Sequence, residues 1–241
     1  MAVKSQKRLA RATGKNVAPA RQADSEPSRA DAIARKIEED IVVGRRHPRE
    51  RLVEQDLSEQ FGTHRGDVRL ALFELEKKGL IQRIPNRGAV VRDLTPAEVS
   101  EIYDVREELE VMAIRILPFP VAKGDIERLE ALQRDHSKAV DAGNLPDVFH
   151  SNVRFHRVLL GLCGNRCLIE TIEQLADKVN SIRSSAYANP EALDNARHDH
   201  IKMIDALRHS RRDDLITLTR RHLKPAPQAY AQSYRKRFGG A

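Results

Sequence analysis

The sequence predicts a mainly α protein, with a small unit of three short helices and a hairpin over residues 29–93 and an all-α six-helix bundle over residues 94–241. Three observations carry this. Apolar residues recur three and four apart through most of the chain, which is the period of a helix face turned to a core. Two short helical stretches meet across Gly62 and run into a strand–turn–strand pattern tipped by Pro85-Asn86-Arg87-Gly88. Aromatics make up only 4% with no Trp, and Gly and Pro gather at a few places, as suits helices.

A length of 241 residues allows two ordinary domains. The net charge of +7 and a pI near 9.6 favour a polyanionic partner or an anionic surface. Cys163 and Cys167 form a lone C-x3-C pair, a poor zinc or disulfide signature, so a reducing cytoplasm is the simpler expectation. Residues 1–28 carry Lys4, Lys7, Arg8, Arg11, Lys15 and Arg21 against Asp24 and Glu26, with no long apolar run. A presequence of the mitochondrial type carries similar charge. We read instead a disordered basic tail that adds unspecific attraction to phosphates. No stretch approaches twenty apolar residues, so no membrane span is expected.

In the first unit, Ile33, Ile37 and Ile41 stripe a helix from Arg29 to about Gly44. Leu57 and Phe61 fit a second helix that Gly62 breaks, and Val68, Leu72 and Leu75 stripe a third. Leu80–Ile84 and Ala89–Arg92 read as strands of a hairpin with Arg87 at its tip. This is the pattern of a winged helix-turn-helix. Arg65 and Arg69, four apart at the start of the third helix, share one face. Alone, such a pair is a solvated charged face; on a helix that enters the major groove it meets guanine edges and phosphates.

Residues 29–92 resemble the GntR family of bacterial transcription regulators. The resemblance rests on Arg65, Val68, Arg69, Ala71, Leu72, Leu75, Gly79, Leu80 and Pro85-Asn86-Arg87-Gly88. His64, Gly66 and Asp67 replace the family's usual Ser, Thr and Pro, and Arg49 replaces a common Gly. The resemblance implies double-stranded operator DNA as partner, contacted by Arg65, Arg69, His64, Asn86, Arg87 and Gly88.

The second half opens with Thr95, Pro96 and Glu98, a capping box with proline at the first helical position. Helices follow at about 125–142, 146–163, 166–185, 190–209 and 211–224, after which Pro225 and Pro227 interrupt the chain and a short helix resumes. Their stripes contain four polar residues at core positions. Asn152 and His156 stand between Phe149 and Leu160, His200 between Ala196 and Met203, and His222 after Leu215 and Leu218. The other histidines fall off such stripes. Each unpaired buried polar group costs about 2 kcal/mol, so the four must satisfy one another, around a divalent transition metal or around water. Imidazole nitrogens favour zinc or nickel, and bundles build such sites from facing helices. Arg106 lies on the stripe of Val99, Ile102, Leu109 and Ala113, where a cation needs an anion: an internal partner such as Glu110, or the carboxylate of a small organic acid. Arg183 is a second candidate for that acid.

This half resembles the FCD domain, the effector module of the FadR-like branch of the GntR family. Its metal-binding members place Asp or Asn one turn before a His, then two further histidines at the separation of His200 and His222. Asn152 stands where Asp is more usual, and a count of six helices resembles the VanR-like group.

The expected function is a ligand-responsive regulator, a repressor in the commoner family behaviour, that binds its operator as a homodimer and is modulated by a small carboxylate effector at a metal site. Two alternatives stand beside it: a regulator that senses the metal itself, and a metal-dependent hydrolase. No H-E-x-x-H pattern and no carboxylate base on the stripes favour the hydrolase.

Overall fold

A computed structural model describes residues 28–239. The basic tail expected over residues 1–28 lies outside them but for Ser28. Helix α1, Arg29–Val42, starts at a capping box: Ser28 Oγ accepts from the Asp31 amide at 3.1 Å, and the Asp31 carboxylate accepts from the Ser28 amide at 3.1 Å. Ile33, Ile37 and Ile41 are buried, as the spacing predicts. Helix α2, Glu54–Phe61, ends where Gly62 takes a left-handed φ of 56°, open to glycine without a Cβ clash. The chain then turns into α3, Arg65–Lys77, whose Val68, Ala71, Leu72 and Leu75 pack on α1.

Strands β2, Ile81–Ile84, and β3, Gly88–Val91, pair antiparallel with Ile84 opposite Gly88, each set slightly from the spans predicted. A further strand, β1, Arg51–Leu52, joins the other edge of β3 and gives the order β1-β3-β2. Two residues are too few to show a period, so this strand leaves no pattern in the sequence. Arg49, where the resemblance expects glycine, does take a left-handed φ of 69°. Its Nε donates to Asp93 at 2.7 Å, and its guanidinium lies 4.9 Å from the Phe238 ring centre. These contacts offset a conformation that costs about 1–2 kcal/mol.

The bundle comprises α4, Pro96–Ile116; α5, Lys123–Asp141; α6, Leu145–Gly161; α7, Arg166–Lys178; α8, Arg183–Tyr187; α9, Pro190–Arg208; α10, Arg212–Leu223; and α11, Pro225–Phe238. Two expectations are corrected. The helix expected over 166–185 breaks at Val179 into a 3-10 turn, Asn180–Ile182, before α8. Tertiary packing accompanies the break: Val179 and Ile182 are buried in a cluster with Leu94, Val99 and Leu223, and the Asn180 side chain bridges Asp177 and Arg183 across it. The helix before Pro225 does stop, at Leu223, but the one that resumes is long rather than short, Pro225–Phe238, because prolines in a first turn remove no needed donor.

The bundle core gathers Ile114 of α4 and Leu117 just beyond it, Leu129 of α5, Phe155 and Leu159 of α6 and Leu215 of α10. A second cluster ties the start of α4 to the far end of the chain: Leu94, Val99, Val179, Ile182, Leu223 and Tyr230, with the Tyr230 hydroxyl donating to the Leu94 carbonyl at 2.5 Å. The winged unit sits against the bundle through α1, where Glu39 Oε1 lies 2.7 Å from His150 Nε2 of α6.

Helix α4 carries the capping box predicted for it: Thr95 Oγ1 accepts from the Glu98 amide at 3.2 Å and Glu98 accepts from the Thr95 amide at 2.8 Å. Thr95→Ala removes one arm of that exchange and should lower the unfolding free energy by about 1 kcal/mol. Urea denaturation monitored by circular dichroism measures it; an unchanged midpoint would mean the cap contributes nothing.

Candidate functional site

The exposed surface of α3 carries the first set of predicted residues. Arg65 opens the helix and its Nη2 donates to Gln55 Oε1 of α2 at 3.0 Å. Arg69, one turn on, donates through Nε and Nη2 to the Glu54 carboxylate at 3.3 and 3.0 Å. The Arg69 hydrogen bond in turn holds the Glu54 carboxyl below its usual range. The Arg69 side chain is 64% exposed, so solvent screens this pair and leaves it weak. An incoming phosphate competes with it at small cost. His64 is exposed at the N-cap and makes no side-chain capping bond. At the hairpin tip Pro85, Asn86, Arg87 and Gly88 are all exposed, with Asn86 and Gly88 at positive φ of 62° and 75°.

Two exposed apolar side chains went unnoticed in the sequence. Leu70 is 59% and Phe73 51% exposed on the same side of α3, with Phe73 one turn beyond Arg69. Their signal was there, since both fall off the Val68–Leu72–Leu75 stripe while being large and apolar.

The second set converges inside the bundle. His156 of α6, His200 of α9 and His222 of α10 present ring nitrogens that all lie within 4.8 Å of one another. His156 Nε2 is 3.0 Å from His222 Nε2 and 3.2 Å from His200 Nε2. The protonation state of His200 follows from its other nitrogen. Gln133 uses its amide group to donate to Ser137 Oγ at 3.1 Å and to the Arg197 carbonyl at 3.5 Å. Its Oε1, 2.9 Å from His200 Nδ1, therefore accepts. Nδ1 carries the proton and Nε2 turns a bare lone pair to the other two rings. His222 Nδ1 faces the Asp199 carboxylate at 3.6 Å, and Asp199 is itself held by Arg221. Burial pushes His156 and His200 well below the ordinary imidazole range, with the neighbouring His222 adding to it. Neutral, inward-facing imidazoles are the donor set of a transition metal, and hydrogen bonds from outside fix their orientation.

Asn152 is buried one turn before His156. It lines, with Arg106, Glu110, His156, Arg183 and His222, a cavity of about 40 Å³. His156, His222 and both predicted arginines thus line this cavity, while His200 lies behind His156. Arg106 realises one of its two expected partnerships: Nη2 donates to Glu110 at 2.9 Å. Its Nε and Nη1 are buried without a partner. Arg183 donates to Asn180 and lies on the same cavity, and the nearby Tyr187 hydroxyl is also buried without a partner.

Two expectations are corrected here. A fourth histidine, His136 of α5, is 1% exposed and belongs to the neighbourhood, its ring centre 5.0 Å from that of His200. It repeats the spacing of Ile126, Leu129 and Gln133, so the periodicity that found the others reaches it too. Carboxylates also stand on these stripes: Glu110 on the cavity and Asp199 beside His222.

A winged unit with a basic reading helix, joined to a helical bundle with a polar interior, defines a transcription regulator with an effector domain. The chain belongs to the GntR family of bacterial regulatory proteins: that family's pattern matches residues 29–91, and the FCD domain matches residues 101–225. It is 27% identical over 169 residues to the uncharacterized HTH-type transcriptional regulator YdhC of Bacillus subtilis, covering 70% of this chain and 75% of that one. To the HTH-type transcriptional repressor RspR of Escherichia coli it is 25% identical over 200 residues, 83% and 88% of the two chains. The solved E. coli McbR/YncC shares the fold at a TM-score of 0.73 and 22% identity, over 86% of this chain and 99% of that one. These likenesses identify a regulator and not an enzyme. Among the described residues no helix is long and apolar enough to cross a membrane.

The buried imidazoles make stability depend on pH. Ser151 Oγ donates to the Asp147 carbonyl and accepts from His136 Nδ1 at 3.0 Å, while His136 Nε2 is buried with no acceptor for a second proton, so the folded ring is neutral. Burial lowers it to about 4. The unfolded chain takes up that proton near pH 6.5, hence stability is full above about 6.5 and lost as pH falls towards 4. His136 alone contributes a loss of about 3 kcal/mol at pH 4. Urea midpoints compared between pH 7 and 4.5 should fall more steeply in the native chain than in His136→Gln; parallel slopes would contradict the assignment.

Proposed function

We propose that this regulator, a repressor, binds operator DNA in the cytoplasm as a homodimer and responds to a small organic acid held beside a divalent metal, zinc or nickel, in the bundle. The observation that carries the effector side is the shared cavity: the imidazoles of His156 and His222, with His200 in contact behind His156, border the same space as the two unpartnered nitrogens of Arg106. Asn152, His156, His200 and His222 would hold the metal, which supplies open positions for a carboxylate. Arg106 and Arg183 take the acid's remaining oxygens. A regulator that senses the metal alone leaves those buried guanidinium nitrogens unexplained, which favours the effector reading.

On the DNA side, Arg65 and Arg69 reach base edges and phosphates, with His64 beside them, and Asn86, Arg87 and Gly88 bring the wing tip to the backbone. Leu70 and Phe73 supply apolar surface suited to thymine methyl groups. One short helix reads too few base pairs to be specific, and a two-fold pair of chains doubles the site.

Arg65→Ala and Arg69→Ala should each weaken operator binding by about 1–3 kcal/mol where the side chain meets a base, or reduce the salt slope by about one where it meets phosphate. Electrophoretic shift titrations at several salt concentrations, with sedimentation to count chains per palindromic site, decide this. Unaltered affinity in both variants, or one chain per site, would sink the assignment.

For the metal, His200→Ala should abolish zinc uptake while operator binding by the winged unit persists. Gln133→Leu should weaken zinc by about 10–100-fold through loss of the His200 orientation, whereas Gln133→Glu keeps the acceptor and the affinity. Competition titration with a chromogenic chelator reads both; zinc binding equal in all three chains would refute the site.

A further inference from the structure

Arg49 carries a long side chain where the backbone does not favour one. Its φ of 69° lies in the left-handed region, which glycine adopts freely and other residues only under strain. The side chain is 67% exposed, so burial in the core of the winged unit does not account for it. Strain of this kind persists where the surrounding contacts need the residue that bears it.

Those contacts lead out of the winged unit. Arg49 Nε donates to Asp93, just beyond β3, at 2.7 Å, and the guanidinium lies over the Phe238 ring at the end of α11. The Asp93 side chain is only 6% exposed, and a carboxylate so far out of water needs cations. Arg49 supplies one from the winged unit, and Arg237 of α11 faces it from the bundle at 3.9 Å. Arg237 in turn lies 5.7, 5.6 and 5.3 Å from the ring centres of Tyr230, Tyr234 and Phe238, which follow one another at a spacing of four along one face of α11.

We infer that Arg49 is a positioning residue: through Asp93 and Phe238 it fastens the winged unit to α11 and sets the direction in which α3 is presented. The unit also rests on the bundle through α1, which meets His150 of α6, the 3-10 turn and α8. Contacts along one helix permit a pivot about it, and a further anchor at the sheet removes that freedom. Arg49 stands at the sheet, where its amide donates to the Val91 carbonyl of β3 at 2.9 Å. The helix it grips is itself fixed, since the Tyr230 hydroxyl donates to the Leu94 carbonyl and Ala226 packs beside Leu223. Ala226 also lines the polar cavity, so the cavity and the clamp share one helix. On the homodimer reading above, a fixed direction of α3 is what lets two units meet two half-sites at one spacing.

The test measures the distance between spin labels at Asp56→Cys of α2 and Arg128→Cys of α5, in the full chain with Cys163→Ser and Cys167→Ser. Labelled chains are diluted into unlabelled ones, so the result reads single chains whatever their number in solution. The parent should give one narrow distribution. Arg49→Gly and Phe238→Ala should each broaden it about twofold or displace it, as a loosened hinge does. Arg49→Lys, which keeps a cation for Asp93 and the ring, should stay close to the parent. The thermal midpoint of Arg49→Gly should equal or exceed that of the parent, because glycine relieves the strained φ. Equal distributions in the parent and Arg49→Gly would overturn the inference. So would broadening in Phe238→Ala alone, which would leave the joint to α11 without Arg49. A midpoint well below the parent in Arg49→Gly would make the residue part of the fold rather than a clamp, and would overturn it too.

Discussion

The bundle is built around polar groups that its helical spacing forces into the core. His200 is wholly buried, Asn152 and Arg106 nearly so, and His156 and His222 close the space between them. Nothing hydrophobic is gained by those side chains, and each leaves a bond to water behind. The fold tolerates them because the surrounding core is dense, with Phe155 stacked on the His200 ring at 4.1 Å between centres. It tolerates them also because Gln133 accepts from His200 Nδ1 and Asp199 faces His222 Nδ1. What remains unsatisfied faces inward: imidazole lone pairs on one side, guanidinium nitrogens on the other. Such a cavity is complementary to a cation and to an anion at once, which is an unusual thing for a protein interior to be without a ligand.

Much of this was legible in the sequence, because helices report their buried face by spacing alone. Histidine and asparagine at stripe positions mark the cluster by spacing, and the same spacing places Arg106 on a buried face. His136 was overlooked although it obeys the same period. The pairing of Arg106 with Glu110 could be anticipated as an i,i+4 contact, but not the fate of the remaining nitrogens, which depends on what other helices bring. The role of Gln133 was illegible for the same reason: it stands 67 residues from His200, and only the packing of α5 on α9 joins them. Locally decided features were readable where a side chain announces them, as at Thr95 and Gly62. They failed where distant packing accompanies the change, as at Val179 and Ile182, or where the element is as short as β1.

The DNA-reading side shows a different economy. Arg65 and Arg69 are held in place by Gln55 and Glu54 of the preceding helix, exposed partners that orient without binding tightly. Long cationic side chains thereby keep a preferred direction before any nucleic acid arrives. The same surface carries Leu70 and Phe73, which a protein with no partner for α3 would have little reason to leave in water.

Helix α6 links the two halves. Along it, Asn152 and His156 face the polar cavity, while His150 points the other way and meets Glu39 of α1 at 2.7 Å. Helix α1 in turn packs Ile33, Ile37 and Ile41 in the same core as Val68, Leu72 and Leu75 of α3. Close-packed cores move as blocks rather than deforming. Helix α6 thus meets α1 at one hydrogen bond, and α1 also packs on the 3-10 turn Asn180–Ile182 and on α8. The contact between His150 and Glu39 is half-buried, whereas the apolar core behind α1 is closed to water, so the winged unit is the more rigid side of this joint.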